Sequence, residues 1–101
     1  MEEKKLQRIV KMHLRPEAVE DFLAHFDGIK DKIRDFPGCC GLNLLQEAER
    51  PYILFTYSQW VDNNALDHYR GSDLFKTTWA YVKTLFAQRA EAWSTHVIAQ
   101  L

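Results

Sequence analysis

The stretch from Trp60 to Trp79, WVDNNALDHYRGSDLFKTTW, constrains this chain more than any other. The run before it, PYILFTYSQW, reads as a strand over Tyr52 to Trp60, with apolar and aromatic groups on both alternating faces. Asp62 can then N-cap a short helix carrying Ala65, Leu66 and Tyr69. Gly71 breaks that helix, and Ser72 caps the next one. There Phe75, Trp79, Val82, Leu85 and Phe86 form an apolar stripe at helical spacing.

The same reading extends to both ends. Lys5 to about Leu14 is a strand, β-branched at Ile9 and Val10. Pro16 sits where a first helical residue belongs, and Glu17 and Glu20 suit a helix N-terminus. Val19, Phe22, Phe26, Ile29, Ile33 and Phe36 then recur at spacings of three and four, until Pro37-Gly38 ends the helix. Gly28, inside it, costs ~1 kcal/mol relative to Ala, and a close helix–sheet contact would explain its presence. Cys40 to Glu47 is a second strand, joined by a turn at Ala48–Pro51 to the strand from Tyr52. Trp93 to about Ala99 is the fourth. The order β-α-β-β-α-β is the ferredoxin-like order, an α+β fold with a four-stranded antiparallel sheet.

The chain has 101 residues and reads as a single domain over 1–101. It is 47% hydrophobic and 13% aromatic, which is much apolar surface to hide in one small subunit. In the third strand Tyr52, Leu54, Thr56, Ser58 and Trp60 oppose Ile53, Phe55, Tyr57 and Gln59, so neither face is a clean polar surface. In the fourth, Trp93, Val97 and Ala99 oppose Ser94, His96 and Ile98. Helices cover one face of such a sheet; a second copy of the chain is the simplest cover for the other. A homodimer is expected.

With 13 basic and 14 acidic residues the net charge is −1, which gives no electrostatic reason to expect nucleic acid or an acidic membrane as partner. The start, MEEKKLQR, is charged and lacks the pattern of a signal peptide, and no apolar run approaches a membrane span. A cytoplasmic location is the expectation. Cys39 and Cys40 are adjacent and read as two reduced thiols pointing to opposite faces of an extended segment. No further Cys completes a zinc site.

A strand ending in Trp, a short helix with an aromatic or His near its end, and S-x-x-F opening the next helix resemble the antibiotic-biosynthesis-monooxygenase superfamily of dimeric α+β barrels. The resemblance covers nearly the whole chain. It implies a cavity between helices and sheet, and oxygenation of electron-rich phenols or quinols with no metal and no other cofactor. The substrate, once deprotonated, supplies the electrons to O₂. In that family Tyr69 stands where many relatives carry His and the heme-degrading branch carries Trp. Trp79 stands where that branch has its axial His, and its indole N–H cannot ligate iron. The first strand has no Asn; Leu6, Arg8, Val10 and Met12 share one face. The resemblance therefore disfavours heme degradation.

Each candidate residue has a chemical and a plain reading. Tyr69 carries a phenol at a helix end, where it can point into a cavity or pack. His13 and His96 lie on strands and can accept a proton or serve as structural histidines. Trp60, Phe75 and Trp79 suit the wall of a pocket for an aromatic substrate, or a core. Asn43, Thr56 and Ser58 can hydrogen-bond a ligand or each other. His25 and His68 fall among polar helical positions and read as solvated. The leading function is a cofactor-independent monooxygenase acting on a small aromatic or quinol-like substrate. The alternative is a non-catalytic small-ligand-binding or stress-associated dimer.

Overall fold

A computed structural model describes residues 5–101. The charged start at residues 1–4, which entered the signal-peptide argument, lies outside them. The elements are β1 (Leu6–Leu14), a short 3-10 turn (Pro16–Ala18), α1 (Val19–Arg34), β2 (Cys39–Gln46) and β3 (Ile53–Trp60). Then come α2 (Asn63–Arg70), α3 (Asp73–Val82), a second 3-10 turn (Lys83–Leu85) and β4 (Phe86–Thr95). The sheet is antiparallel with order β2-β3-β1-β4, the ferredoxin-like arrangement expected from the element order.

The fourth strand departs from the sequence reading. It runs Phe86–Thr95, not Trp93 to Ala99, and the apolar stripe of α3 stops at Val82. Phe86 opens the strand opposite Leu14, and Thr95 pairs with Gln7. Its residues FAQRAEA favour helix by intrinsic propensity. Pairing along the whole of β1 overrides that preference, as tertiary context does for weak local signals. His96 consequently lies past the strand, exposed, with Nδ1 3.2 Å from the Lys5 carbonyl oxygen.

Caps fix the helices where the sequence placed them. Asp62 Oδ1 accepts from the Ala65 N–H at 2.8 Å and starts α2. Ser72 Oγ accepts from the Phe75 N–H at 3.1 Å and donates to the Tyr69 carbonyl at 2.6 Å. One hydroxyl thus ties the end of α2 to the start of α3. Gly38 has φ +87°, and a Cβ there would run into the Cβ of Ala65, so the turn after α1 needs glycine on both counts. Gly28 has no such reason. It is exposed, and a Cβ added there meets nothing within 4 Å, so the expected helix–sheet contact is absent.

The helices share one face of the sheet. One core cluster gathers Met12, Leu14, Phe22, Phe26, Leu54, Val82 and Leu85. The other gathers Leu6, Trp60 and Leu66, with Phe36, Cys39 and Tyr69 against them. On the opposite face β1 presents Ile9, Lys11 and His13, β3 presents Phe55 and Tyr57, and β4 presents Glu91 and Trp93. The two cysteines are free and half-buried at a bulge in β2.

Candidate functional site

Between the two core clusters the helices and the sheet enclose a cavity of about 330 Å³. Its floor is the helix-facing row of the strands: Arg8, Val10 and Met12 of β1, Leu42 of β2, Thr56 and Ser58 of β3, Ala90 and Ala92 of β4. α1 contributes Phe22, His25, Phe26, Ile29 and Ile33. Leu66, Tyr69 and Arg70 of α2 and Phe75, Thr78, Trp79 and Val82 of α3 complete the wall.

An aromatic ladder runs along one side. Tyr69 is its centre: 5.0 Å from Trp60 and 25° from parallel to it, 5.3 Å from Phe75 edge-on, and 5.3 Å from Phe36. Phe75 stacks on Trp79 at 5.9 Å, and Trp79 meets Phe86 edge-on at 5.6 Å. Trp60 is fully buried behind this wall. Its Nε1–H donates to Ser58 Oγ at 3.0 Å, which leaves the Ser58 hydroxyl proton free to point elsewhere.

Polar groups reach this space from several sides. Burial pushes the Tyr69 phenol up to about 12, with the nearby Cys39 thiol a smaller cause, so it is a neutral donor at ordinary pH. The His25 ring lies 4.6 Å from that of Tyr81, and His25 Nε2 is buried without a hydrogen-bond partner among the described residues. Arg8 donates from Nη1 to Ser94 Oγ at 3.0 Å. Burial, and then the neighbouring Arg70 charge, lowers the Arg8 pKa from its usual value.

The expected site residues are therefore divided. Tyr69, Phe75, Trp79, Thr56 and Ser58 meet in one cavity, and Trp60 backs it. His13, Asn43 and His96 lie off it. His13 alternates onto the other face of β1 and packs against Tyr52 at 5.2 Å. Asn43 is exposed opposite Tyr57 on that same face. His25 corrects the sequence reading in the other direction: it is partly buried and lines the cavity, where a solvated residue was expected. Its spacing carried the signal, since it falls three residues after Phe22 and four before Ile29. Arg8 carried one too, as a charge on the apolar face of β1. Among the described residues no cluster of three or more His, Cys, Asp or Glu could hold a metal, and the cavity wall carries one histidine, His25.

A ferredoxin-like α+β domain with an aromatic cavity under its helices is the class that fold and site define. The chain belongs to the antibiotic biosynthesis monooxygenase family, whose profile matches residues 7–81. Solved structures agree on the fold. A conserved protein from Methanosarcina mazei superposes with TM-score 0.87 at 24% identity, covering 91% of each chain. A protein described as an antibiotic biosynthesis monooxygenase gives 0.87 at 20% identity, over 93% of this chain and 99% of its own. A Mycobacterium tuberculosis protein gives 0.86 at 22% identity, over 95% and 97%. No curated protein matches the chain. Among the described residues no helix is long and apolar enough to cross a membrane.

Proposed function

We propose that this chain is a cofactor-independent monooxygenase, and that a small aromatic or quinol-like substrate is oxygenated in the cavity beside Tyr69. One observation carries the reading: an aromatic-walled cavity of about 330 Å³ whose lining includes a histidine, His25, together with the hydroxyl-bearing side chains Tyr69 and Ser58. His25 Nε2 is buried without a hydrogen-bond partner among the described residues, and a turn of the ring toward the cavity would let a bound hydroxyl supply one.

His25 Nε2 accepts the proton of a phenolic or quinolic hydroxyl. The resulting anion transfers an electron to O₂, and the radical pair recombines as a carbon–oxygen bond. Cleavage of the O–O bond leaves one oxygen atom on the ring and releases the other as water. The quinol supplies all the electrons, ending as a hydroxyquinone, so no outside reductant enters. Tyr69 and Ser58 donate hydrogen bonds to the developing oxyanion, and the aromatic walls orient the ring and exclude water. His13, His96 and Asn43 have no part in this scheme.

The working unit is a homodimer formed through the uncovered sheet face. Trp93 (44% exposed) and Leu45 (50%) stand on that face beside Ile9, Phe55 and Tyr57. The test of function is oxygen consumption with a panel of quinols and anthrone-like phenols, with product identified by mass. Uptake with one oxygen atom added to product is the expected result. Ligand binding with no uptake on any member of the panel would favour the non-catalytic ligand-binding dimer instead.

A further inference from the structure

We infer that the cavity holds an anion subsite made by Arg8 and Arg70, and that the ligand it accepts is an aromatic carboxylate. The inference rests on the cavity being the substrate site and adds the class of substrate.

Arg8 stands on the floor of the cavity and Arg70 on its wall, close enough that the Arg70 charge disfavours protonation of Arg8. No Asp or Glu lines this space. The chain does not lack carboxylates: it has 14 acidic residues against 13 basic ones. Among the described residues the ion pairs lie elsewhere, between Arg15 and Glu17, Lys30 and Asp27, and Arg50 and Glu47. Arg8 is half-buried and Arg70 exposed, and the wall they share offers neither of them a counter-charge. Taking a charge out of water is costly unless an opposite charge meets it. The interaction of a cation with the end of a helix accounts for a basic residue in the last turn of α2. It does not account for a second one facing the same cavity from the middle of the sheet.

The geometry says which end of a ligand the charge serves. Arg8 is the cross-strand partner of Ser58 on one side and of Ser94 on the other. Ser94 Oγ takes one N–H of the guanidinium and leaves the remaining donors for a guest. Ser58 Oγ is bonded to Trp60, on which Tyr69 stacks, and Arg70 follows Tyr69 in α2. The cationic end and the aromatic ladder are therefore contiguous. A planar ring on Tyr69 and Phe75 with a carboxylate toward Arg8 satisfies both. The guanidinium fork matches a carboxylate in a two-bond geometry that a phenolate oxygen cannot use.

The test uses 2-naphthoate and its neutral isostere 2-naphthamide as probes, with binding read by quenching of tryptophan fluorescence and checked by calorimetry. The wild-type protein should bind the carboxylate at least about 10-fold more tightly than the amide, the scale of one charge-assisted hydrogen bond. Arg8→Gln should bring that ratio close to one, and Arg70→Gln, at an exposed position, should lower it without affecting folding. Arg8→Lys should restore part of the preference. Equal affinities for the two probes, no binding of either at millimolar concentration, or a ratio unchanged in both glutamine variants would overturn the inference. Neither probe is a quinol, so binding is read without turnover. Carboxylate preference without oxygen uptake on any quinol, carboxylated quinols included, would remove the oxygenase reading and leave the subsite standing.

Discussion

Tyr69 lies on the indole of Trp60, ring centroids 5.0 Å apart, and the same indole donates its N–H to Ser58 Oγ at 3.0 Å. A fully buried tryptophan thus holds two hydroxyl-bearing side chains, from a helix and a strand, at the edge of one cavity. Trp60 need not touch a ligand to matter; it sets where Tyr69 and Ser58 stand.

Tyr69→Phe keeps the ring and its stacking and removes only the hydroxyl. The variant should fold, and on a quinol it should lose rate on the order of 100-fold, as loss of one oxyanion donor does. A second readout is alkaline stability. The phenol of the folded protein is pushed from 10.0 up to about 12, so between those values the unfolded chain has lost a proton that the folded chain retains. The contribution of Tyr69 to stability is full below pH 10 and is lost as pH rises through 12. Urea melts across that window should show a shallower fall for Tyr69→Phe; identical slopes would place the hydroxyl in water.

Trp60 and Trp79 belong to the same ladder but differ in burial. Trp60 is 0% exposed, and Trp60→Ala should cost the ~3–5 kcal/mol typical of a core ring. Trp79 is partly exposed and borders the cavity, so Trp79→Ala should cost less than ~3 kcal/mol. Chemical denaturation of both variants decides it. Equal losses would mean that the cavity beside Trp79 is closed by packing in solution.

The aromatic wall was legible because its local signals are strong and short-ranged. Asp62, Gly71 and Ser72 fix two helix boundaries, and the boundaries bring Tyr69 and Phe75 edge to face at 5.3 Å. The face of β3 carrying Thr56, Ser58 and Trp60 follows from simple alternation. The fourth strand was not legible, because its identity comes from β1 and not from its own Ala-rich first half. That miss also displaced His96. His25 was hidden for a different reason: charged and polar neighbours on α1 obscured its place on the apolar stripe, where only the structure shows Nε2 buried.

Gly28 tests the helix without touching the site. Its Cβ space is empty, its φ is not positive, and it lies within α1. Gly28→Ala should therefore stabilise the protein by ~1 kcal/mol, through helix propensity and a less flexible unfolded chain. A loss of stability in thermal melts would show that this surface of α1 is covered in solution.

The uncovered sheet face should bury at least the ~1,600 Å² of a specific interface between two copies. Phe55 and Tyr57 stand on β3, a strand paired on both sides, and face away from the helices. Phe55→Glu places a charge there and should give a monomer by sedimentation, with the wild type sedimenting as two chains at micromolar concentration. A wild-type mass of one chain would exclude the dimer.

His25 separates stability from function most cleanly. A buried nitrogen without a partner costs ~1–3 kcal/mol, so His25→Leu should raise stability or leave it unchanged. If that nitrogen accepts the substrate proton, the same variant should lose quinol oxygenation by ~10²–10⁴-fold. Binding of a non-reactive aromatic probe should stay within a few-fold, since the cavity walls remain. His25→Ala, which opens space beside Tyr81, should recover part of its rate with added imidazole. A more stable protein with unchanged oxygen uptake would make His25 a packing residue. The proton would then have to leave by a route that does not pass through the one histidine lining this cavity among the described residues.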